Sequence, residues 1–501
     1  MSAAFDESQH SRVPKGEPGG GEFAPLGGSA GGDAGQIATA NMTSVKADKT
    51  VYKKPSIAAM MGEGDKDPKN AKLYEENFKK DIGLFHDANF YPNFRASELM
   101  GALKEQAAAI VKNMTSNLVF LYQHATEAVR SAGMQWYDGA HKVAAGLSEK
   151  YGMPLPAVVG GIAKLSPNKN WDQNVEMARR MVEIYSTKQD YKFDKAMTEQ
   201  SPKTWSIKAL GSKPLDPNSQ GYKDKAALYK SYREGIEGKA LGELKEPLLK
   251  AVWIRTYDEA HNPQTFHQFL PNGDIGDLVR NTPRKAGELG DPTKMVWQST
   301  ALLTDAVSAL ESKGNRNTLS DLMGEGHKVR SFFNNILDPH SPNHDVTIDT
   351  HAVGAALLSP LGASSVAVIH NFGLTPDKAD QPKGWTSASG SSVTGLSGTY
   401  GLYADAYRLA AKQLGIEPAQ LQAVDWEAKR DVLSTGRATL TAPSDKAVAE
   451  IGRTWRDYHD EKISQAEAQE RVWKIANEDV AVKVQARAAK LSKGSRQGKL
   501  L

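Results

Sequence analysis

Leu322-Met323-Gly324-Glu325-Gly326-His327-Lys328 and, further along, Val346-Thr347-Ile348-Asp349-Thr350-His351 are the two segments that decide the interpretation of this chain. Two glycines around a single residue allow a tight turn between two helices, and they leave backbone N–H groups free to hold a phosphate. The first segment therefore predicts a helical hairpin with Lys328 at the start of its second helix. Asp349 follows a proline-containing loop and is predicted to cap a helix at 352–358, facing the same cleft.

These two side chains could perform chemistry at a sugar carbon. A lysine that is partly removed from water loses its proton more easily and becomes a nucleophile. A carboxylate beside it could stabilise an oxocarbenium-like sugar. The alternative for each residue alone is structural: a solvent-facing lysine at a helix start, and a simple N-cap.

Composition restricts the function only broadly. The chain has 501 residues, enough for two or three domains, and a formal net charge of +3, so any contact with nucleic acid must come from a local patch. The absence of cysteine excludes disulfides, thiolate-bound metal clusters and a thiol nucleophile. No stretch approaches the roughly 20 apolar residues of a membrane span, so a soluble protein without a membrane partner is expected.

Three regions follow from the pattern along the chain. Residues 1–70 are rich in Gly, Ser and Pro, which predicts a disordered tail. Residues 71–440 show apolar residues at helical spacing, and the small apolar residues at 157–165 predict a buried helix. This region is interrupted at 188–292 by recurring Pro, Gly and Asn, with short apolar runs such as 251–254 and a turn at Pro271-Asn272-Gly273, which predicts an inserted irregular α+β subdomain with short strands. Residues 441–501 predict a charged helix and a basic tail, either a phosphate-binding element or a solvated helix end. The expected fold class is mainly α.

Within the N-terminal tail, residues 10–24 resemble a short tag of bacteriophage-encoded proteins, several of them virion-associated. Farther on, Leu165-Ser166-Pro167-Asn168, the hairpin and the Asp349 segment occur in the same order as in the helix-hairpin-helix DNA glycosylase superfamily, which this part of the chain resembles. The chain also resembles a group of phage proteins that share these segments together with Trp171-Asp172-Gln173-Asn174 and Leu421-Gln422-Ala423-Val424-Asp425-Trp426.

The glycosylase resemblance implies a two-lobed helical domain in which Lys328 attacks the sugar and Asp349 assists. Met323 and Glu325 depart from the family pattern, and Glu325 puts a negative charge where a DNA phosphate should dock. By the same resemblance, the residues that would contact the DNA or the extruded base are Asn168, Gly324, Gly326, His327 and His351. A base turned out of the DNA stack also needs an aromatic side chain to stack on, and Trp171 is the residue expected to supply it.

Two further motifs favour simpler explanations. The histidines and aspartates at 340–351 could bind a transition metal, but their spacing fits no defined site, and a polar loop explains them equally well. Asp258-Glu259-Ala260-His261 spells a helicase motif, yet no phosphate-binding loop of the P-loop type accompanies it. No metal and no cofactor are therefore expected.

The sequence thus predicts a bacteriophage enzyme that acts on DNA bases or nucleosides, by glycosidic cleavage or by base modification, with DNA as its partner in the host cytoplasm. The alternative is a non-enzymatic phage protein that is virion-associated or injected, with other virion components as partners. In that case the hairpin would be only a joint between helices.

Overall fold

The computed structural model describes residues 54–63, 68–167, 169–204, 218–281, 288–324, 327–373, 390–391, 396–434 and 442–497. Helices dominate this part of the chain, which confirms the prediction of a mainly α protein. In chain order they are α1 Ile57–Met60, α2 Pro68–Leu84, α3 Leu103–His124, α4 Glu127–Tyr151, α5 Leu155–Leu165, α6 Trp171–Thr187, α7 Lys195–Thr204, α8 Gln220–Ile236, α9 Pro247–His261, α10 Thr300–Glu311, α11 Arg316–Met323, α12 His327–Leu337, α13 Thr350–Ala356, α14 Val366–Asn371, α15 Tyr400–Leu414, α16 Pro418–Val432, α17 Asp445–His459 and α18 Gln465–Gln497. Two short 3-10 helices, Ala96–Leu99 and Leu241–Glu243, complete the helical elements of the described ranges.

The chain divides into two compact units, and each is made of separate chain segments. The described residues of unit 1 lie at 140–281 and 289–324, and those of unit 2 at 54–139, 288 and 327–497, with the gaps given above.

Unit 1 is built around α5, an apolar helix whose sequence is LPAVVGGIAKL. The sequence predicted a buried helix here because its residues are too small and apolar for a surface, and the structure confirms it. α5 packs against α10, and a Cβ added at Gly160 would lie 2.7 Å from Leu319 Cδ2 and 3.0 Å from Ala309 Cβ. Glycine at this position is what permits such close packing.

The described part of residues 188–281 combines helices with a β-hairpin. The strands β1 His267–Phe269 and β2 Ile275–Leu278 pair antiparallel around a Pro-Asn-Gly turn in which Gly273 has φ +80°, as the sequence predicted. The apolar run at 251–254, which the sequence analysis grouped with the short runs of this region, lies inside helix α9 instead. Its residues are all buried, which explains why it shows no clear amphipathic period.

In unit 2, α3 packs against α15 through fully buried side chains of both helices, and α13 packs against α16. A second, two-stranded ribbon joins β3 Gly390–Ser391 to β4 Leu396–Ser397. The charged C-terminal segment forms two helices, α17 and α18, instead of the single helix that the sequence predicted, because the chain turns at Glu461 with φ +61°.

Most of the tail predicted at 1–70, including the phage-like segment at 10–24, lies outside the described residues. Residues 54–63 are described, and here the prediction of disorder was wrong: Ser56 caps α1, and the Ile57 N–H donates to Asp405 Oδ2 at 2.7 Å. None of the helices in the described ranges combines the length and the apolar character of a membrane-spanning segment.

Candidate active site around His351

Asp349 is the N-cap of α13, as the sequence predicted. Its Oδ1 accepts a hydrogen bond from the Ala352 N–H at 2.8 Å, and its Oδ2 accepts one from Trp426 Nε1–H at 3.2 Å. The side chain is half-buried. Both carboxylate oxygens therefore have a donor, which fixes the direction of the group.

His351 lies on the first turn of α13, and its ring stands edge-on to the Trp426 ring, with centroids 5.7 Å apart. Burial lowers the pKa of His351 to about 4; Asp349 opposes this shift, while the cations Lys429, Arg430 and Lys328 add to it. The imidazole is therefore neutral near pH 7. We call Lys328, Asp349, His351, Lys429 and Arg430 the His351 cluster.

Lys429 is the member of the cluster that the sequence analysis missed. It is fully buried on α16, with Nζ 3.4 Å from His351 Nδ1 and 3.5 Å from the Leu361 carbonyl oxygen. Burial lowers the pKa of Lys429 to about 8, against an opposing effect of Asp349. A Cβ on Gly354 would stand only 2.8 Å from Lys429 Cε, so the lysine depends on glycine at that position.

The spacing along α16 explains both the arrangement and why it was missed. Gln422, Asp425, Trp426 and Lys429 recur at positions i, i+3, i+4 and i+7, which places them on one face of the helix. In a sequence, such a face is normally the solvated side of an amphipathic helix. Here Gln422, Asp425 and Lys429 are all buried. Only the tertiary structure shows that the helix is enclosed on this side as well.

Asp425 is the most unusual residue of that face. It is fully buried, and within the described residues neither of its carboxyl oxygens has a hydrogen-bond partner. Burial raises the pKa of Asp425 well above its ordinary value, which favours the protonated, uncharged form of the group. It also contributes to the raised pKa of Tyr407, whose main cause is burial and whose hydroxyl donates to the Ala352 carbonyl at 3.3 Å.

Lys328 is the second residue of α12 and is half-buried. Its charge and that of Asp349 both act on His351, so these three residues of the sequence prediction belong to one electrostatic environment. The preceding Gly324 ends α11 with φ +64°, a conformation that favours glycine, while Glu325 and Gly326 lie outside the described residues. His327 is buried, with its ring 5.2 Å from the Tyr400 ring.

The remaining two predicted contact residues fall elsewhere in the chain. Asn168 lies outside the described residues. Trp171 is half-buried at the start of α6, in unit 1, whereas the His351 cluster belongs to unit 2. The aromatic side chain that contacts the cluster is Trp426, which is half-buried and carries the Arg430 guanidinium 4.3 Å above its ring.

The other histidines and acids of the 340–351 loop have separate partners. His340 Nε2 lies 3.0 Å from Asp138 Oδ1, His344 Nδ1 lies 3.1 Å from Glu417 Oε2, and Asp345 accepts from Asn334. Within the described ranges, no group of three or more acidic or histidine side chains is placed to hold a metal ion.

The helicase-like motif also has a structural explanation. Asp258 is fully buried on α9, and its carboxylate accepts hydrogen bonds from four side chains. The donors and their distances are Arg180 Nη1 at 3.2 Å, Trp297 Nε1 at 3.0 Å, Asn262 Nδ2 at 2.7 Å and Gln264 Nε2 at 2.9 Å. We call these five residues the Asp258 network. Both carboxylate oxygens of Asp258 accept hydrogen bonds from within unit 1, so this residue has a structural role.

A family of unknown function (DUF7178) matches this chain at residues 100–212 and 385–432. The second matched segment contains α16, with Asp425, Trp426 and Lys429, whereas Lys328 and Asp349 lie between the two matched segments. No curated protein matches the chain, and neither does any solved structure.

Proposed function

We propose that the protein is a bacteriophage enzyme that acts on DNA bases or nucleosides, by glycosidic cleavage or a related base modification. The observation that carries this proposal is the composition of the His351 cluster. One carboxylate, one neutral imidazole and three cations act on each other at a partly accessible position. The excess of positive charge suits a phosphate-bearing substrate, and the carboxylate suits a sugar that becomes positively charged in the transition state.

The residues have separate tasks in such a reaction. Asp349, held by the helix N–H and by Trp426, would stabilise positive charge at the anomeric carbon. Lys328, once deprotonated, would attack that carbon while the C1′–N bond breaks, and the electron pair of that bond would leave with the base, which takes a proton from solvent. The resemblance to the helix-hairpin-helix glycosylases, including its two-lobed domain, is part of this proposal.

Trp426 would supply the aromatic surface on which a base turned out of the DNA stack can lie. It is half-buried, so part of its ring system is accessible, and Arg430 lies against the ring. This assigns to Trp426 the stacking role that the sequence analysis gave to Trp171.

The test measures release of free base, formation of modified base, and borohydride-trapped adduct on DNA that carries normal, modified or abasic nucleotides. We expect Asp349→Asn to reduce turnover at least about 100-fold, as expected for loss of one transition-state charge. Lys328→Ala should abolish the trapped adduct, and the exposed Lys412→Ala is the matched control. Full turnover by Asp349→Asn would remove the proposed mechanism.

A parent protein that releases no base, forms no adduct and changes no nucleotide would refute the enzymatic proposal. The non-enzymatic alternative predicts a different result: the protein should be found in purified virions, and Lys328→Ala should leave phage infectivity unchanged.

A further inference from the structure

In the contact between Lys429 and His351, the ammonium group donates the hydrogen bond and the ring nitrogen accepts it. We infer that Lys429 is a positioning residue that fixes His351 as the tautomer with its proton on Nε2, so that the imidazole presents an N–H donor to an oxygen atom of the substrate. The inference rests on the proposed function for the identity of that substrate. Its structural part, the tautomer, can be tested without any substrate.

The argument begins with hydrogen-bond capacity. An ammonium group has three donors and no acceptor, so a ring nitrogen that faces it must carry a lone pair. Lys429 Nζ faces His351 Nδ1 at 3.4 Å, and its other contact, the Leu361 carbonyl at 3.5 Å, is also an acceptor. With Nδ1 as the acceptor, the proton of a neutral imidazole must be on Nε2.

The surrounding charges also favour a neutral imidazole. The charged groups that act on His351 are Asp349, Lys328, Lys429 and Arg430, three of which are cations that oppose a second proton on the ring. The pKa of Lys429 near 8 leaves the amine mostly protonated at pH 7, so it remains a donor there. A neutral imidazole that donates from one side can stabilise a developing negative charge.

The packing keeps Lys429 in this position. It is fully buried, it comes from α16, and its stem passes the backbone at Gly354, where a side chain would collide with it. Within the described residues this buried ammonium has two long contacts, which is costly because its attraction to nearby groups must offset the loss of hydration. An apolar side chain of similar length would avoid this cost but would leave Nδ1 without its donor.

The substrate atom that accepts the hydrogen bond from Nε2–H is an oxygen. Two sources share this chemistry: a phosphate oxygen of a nucleotide and a carbonyl oxygen of a base. The two are distinguished by adding inorganic phosphate or thymidine separately and following the Nε2 proton and nitrogen resonances of His351.

The experiment is ¹⁵N–¹H NMR of the full chain labelled at histidine, with His351→Gln to assign the resonance among the 12 histidines. At pH 7 we expect the Nε2-protonated pattern, which persists as the pH falls to about 5. Lys429→Met should increase the Nδ1-protonated form and bring the titration closer to that of an ordinary histidine. Lys429→Arg keeps a donor and should retain the parent pattern, while Lys412→Met is the surface control.

Three results would overturn the inference: a parent imidazole protonated on Nδ1, a parent imidazolium at pH 7, or an unchanged pattern in Lys429→Met. If Lys429→Met does not fold, the parent and Lys429→Arg spectra still decide the question. The inference and the proposed function fail separately, since the tautomer is read without DNA. In an active protein, Lys429→Met should also move the acidic limb of the pH–rate profile upward from near pH 4 towards pH 6.5.

Discussion

Asp258 in unit 1 and Asp425 in unit 2 are both fully buried carboxyl groups on helices, yet their surroundings are opposite. Asp258 accepts hydrogen bonds from four side chains, whereas neither oxygen of Asp425 has a partner within the described residues. Burial of a polar group is tolerated when its hydrogen bonds are made and costs free energy when they are not. The difference indicates that the Asp258 network has a structural role. Asp425, by contrast, is expected to lower the free energy of unfolding of the protein.

The buried cations repeat this contrast. Arg180 lies 2.7 Å from Glu176 and 3.2 Å from Asp258, and it also donates to two backbone carbonyls. In the part of the chain that the structure describes, Lys429 Nζ has two polar contacts, at 3.4 and 3.5 Å, and burial lowers its pKa to about 8. Groups that are incompletely paired and have shifted pKa values are typical of functional sites. The degree of pairing is therefore a more useful criterion than burial itself.

The largest effect is expected from Asp258→Ala. It leaves Arg180, Trp297 and two amides without their common acceptor, and breaking a buried ion pair from one side costs about 3–5 kcal/mol. We expect a corresponding loss in the free energy of unfolding measured in urea. The exposed Asp277→Ala in the β-hairpin is the control. A loss no larger than that of the control would contradict the structural role of the Asp258 network.

A smaller loss is expected from Gly354→Ala. The added methyl would lie 2.8 Å from Lys429 Cε and 3.0 Å from the Ser359 carbonyl oxygen, so the helix or the lysine must shift. Such overpacking costs up to about 3 kcal/mol. Gly146→Ala is the matched control, because a Cβ at that helical position meets nothing within 4 Å. It should be neutral or slightly stabilising in the same urea titration.

These two regions also show which features of the structure could be predicted from the sequence. It predicted the fold class, the buried helix α5, the Pro-Asn-Gly hairpin and the Asp349 cap, because each rests on local signals: small apolar residues, turn residues, or a capping side chain after an extended segment. The prediction of a single helix in the C-terminal segment was wrong, because no Gly or Pro stands at the break near Glu461.

Lys429 and Asp425 could not be found in this way. Their positions on α16 have the spacing of a solvated helix face, and they are enclosed because α13, α15 and α3 pack against α16. Gly354 gave no signal either, because its importance comes from a side chain that lies far along the sequence. Pairwise tertiary contacts of this kind are not encoded in any local pattern.

The next prediction concerns the pH dependence of stability. The pKa of His351 is lowered from 6.5 to about 4, so below pH 6.5 the unfolded chain binds a proton that the folded chain does not. The stabilising contribution is complete above pH 6.5 and is lost as the pH falls towards 4, by about 2 kcal/mol for this half-buried group. In His351→Gln, the difference in unfolding free energy between pH 7 and pH 4.5 should shrink by that amount. The exposed His267→Gln should retain the parent difference, and an unchanged difference in His351→Gln would contradict the lowered pKa.

The smallest effect tests Asp425 and has the opposite sign. Its pKa in the folded chain is raised above the ordinary 3.8, so the folded chain retains a proton that the unfolded chain releases, and stability falls as the pH rises above that value. Asp425→Asn removes this titration. We expect it to stabilise the protein by about 1 kcal/mol at pH 7.5 and by less at pH 4.5, in urea titrations at both values. Asp258→Asn, in which every donor of the Asp258 network loses a charged acceptor, should destabilise at both pH values. If Asp425→Asn is destabilising at pH 7.5, then Asp425 is paired as Asp258 is, and the contrast between the two carboxyl groups disappears.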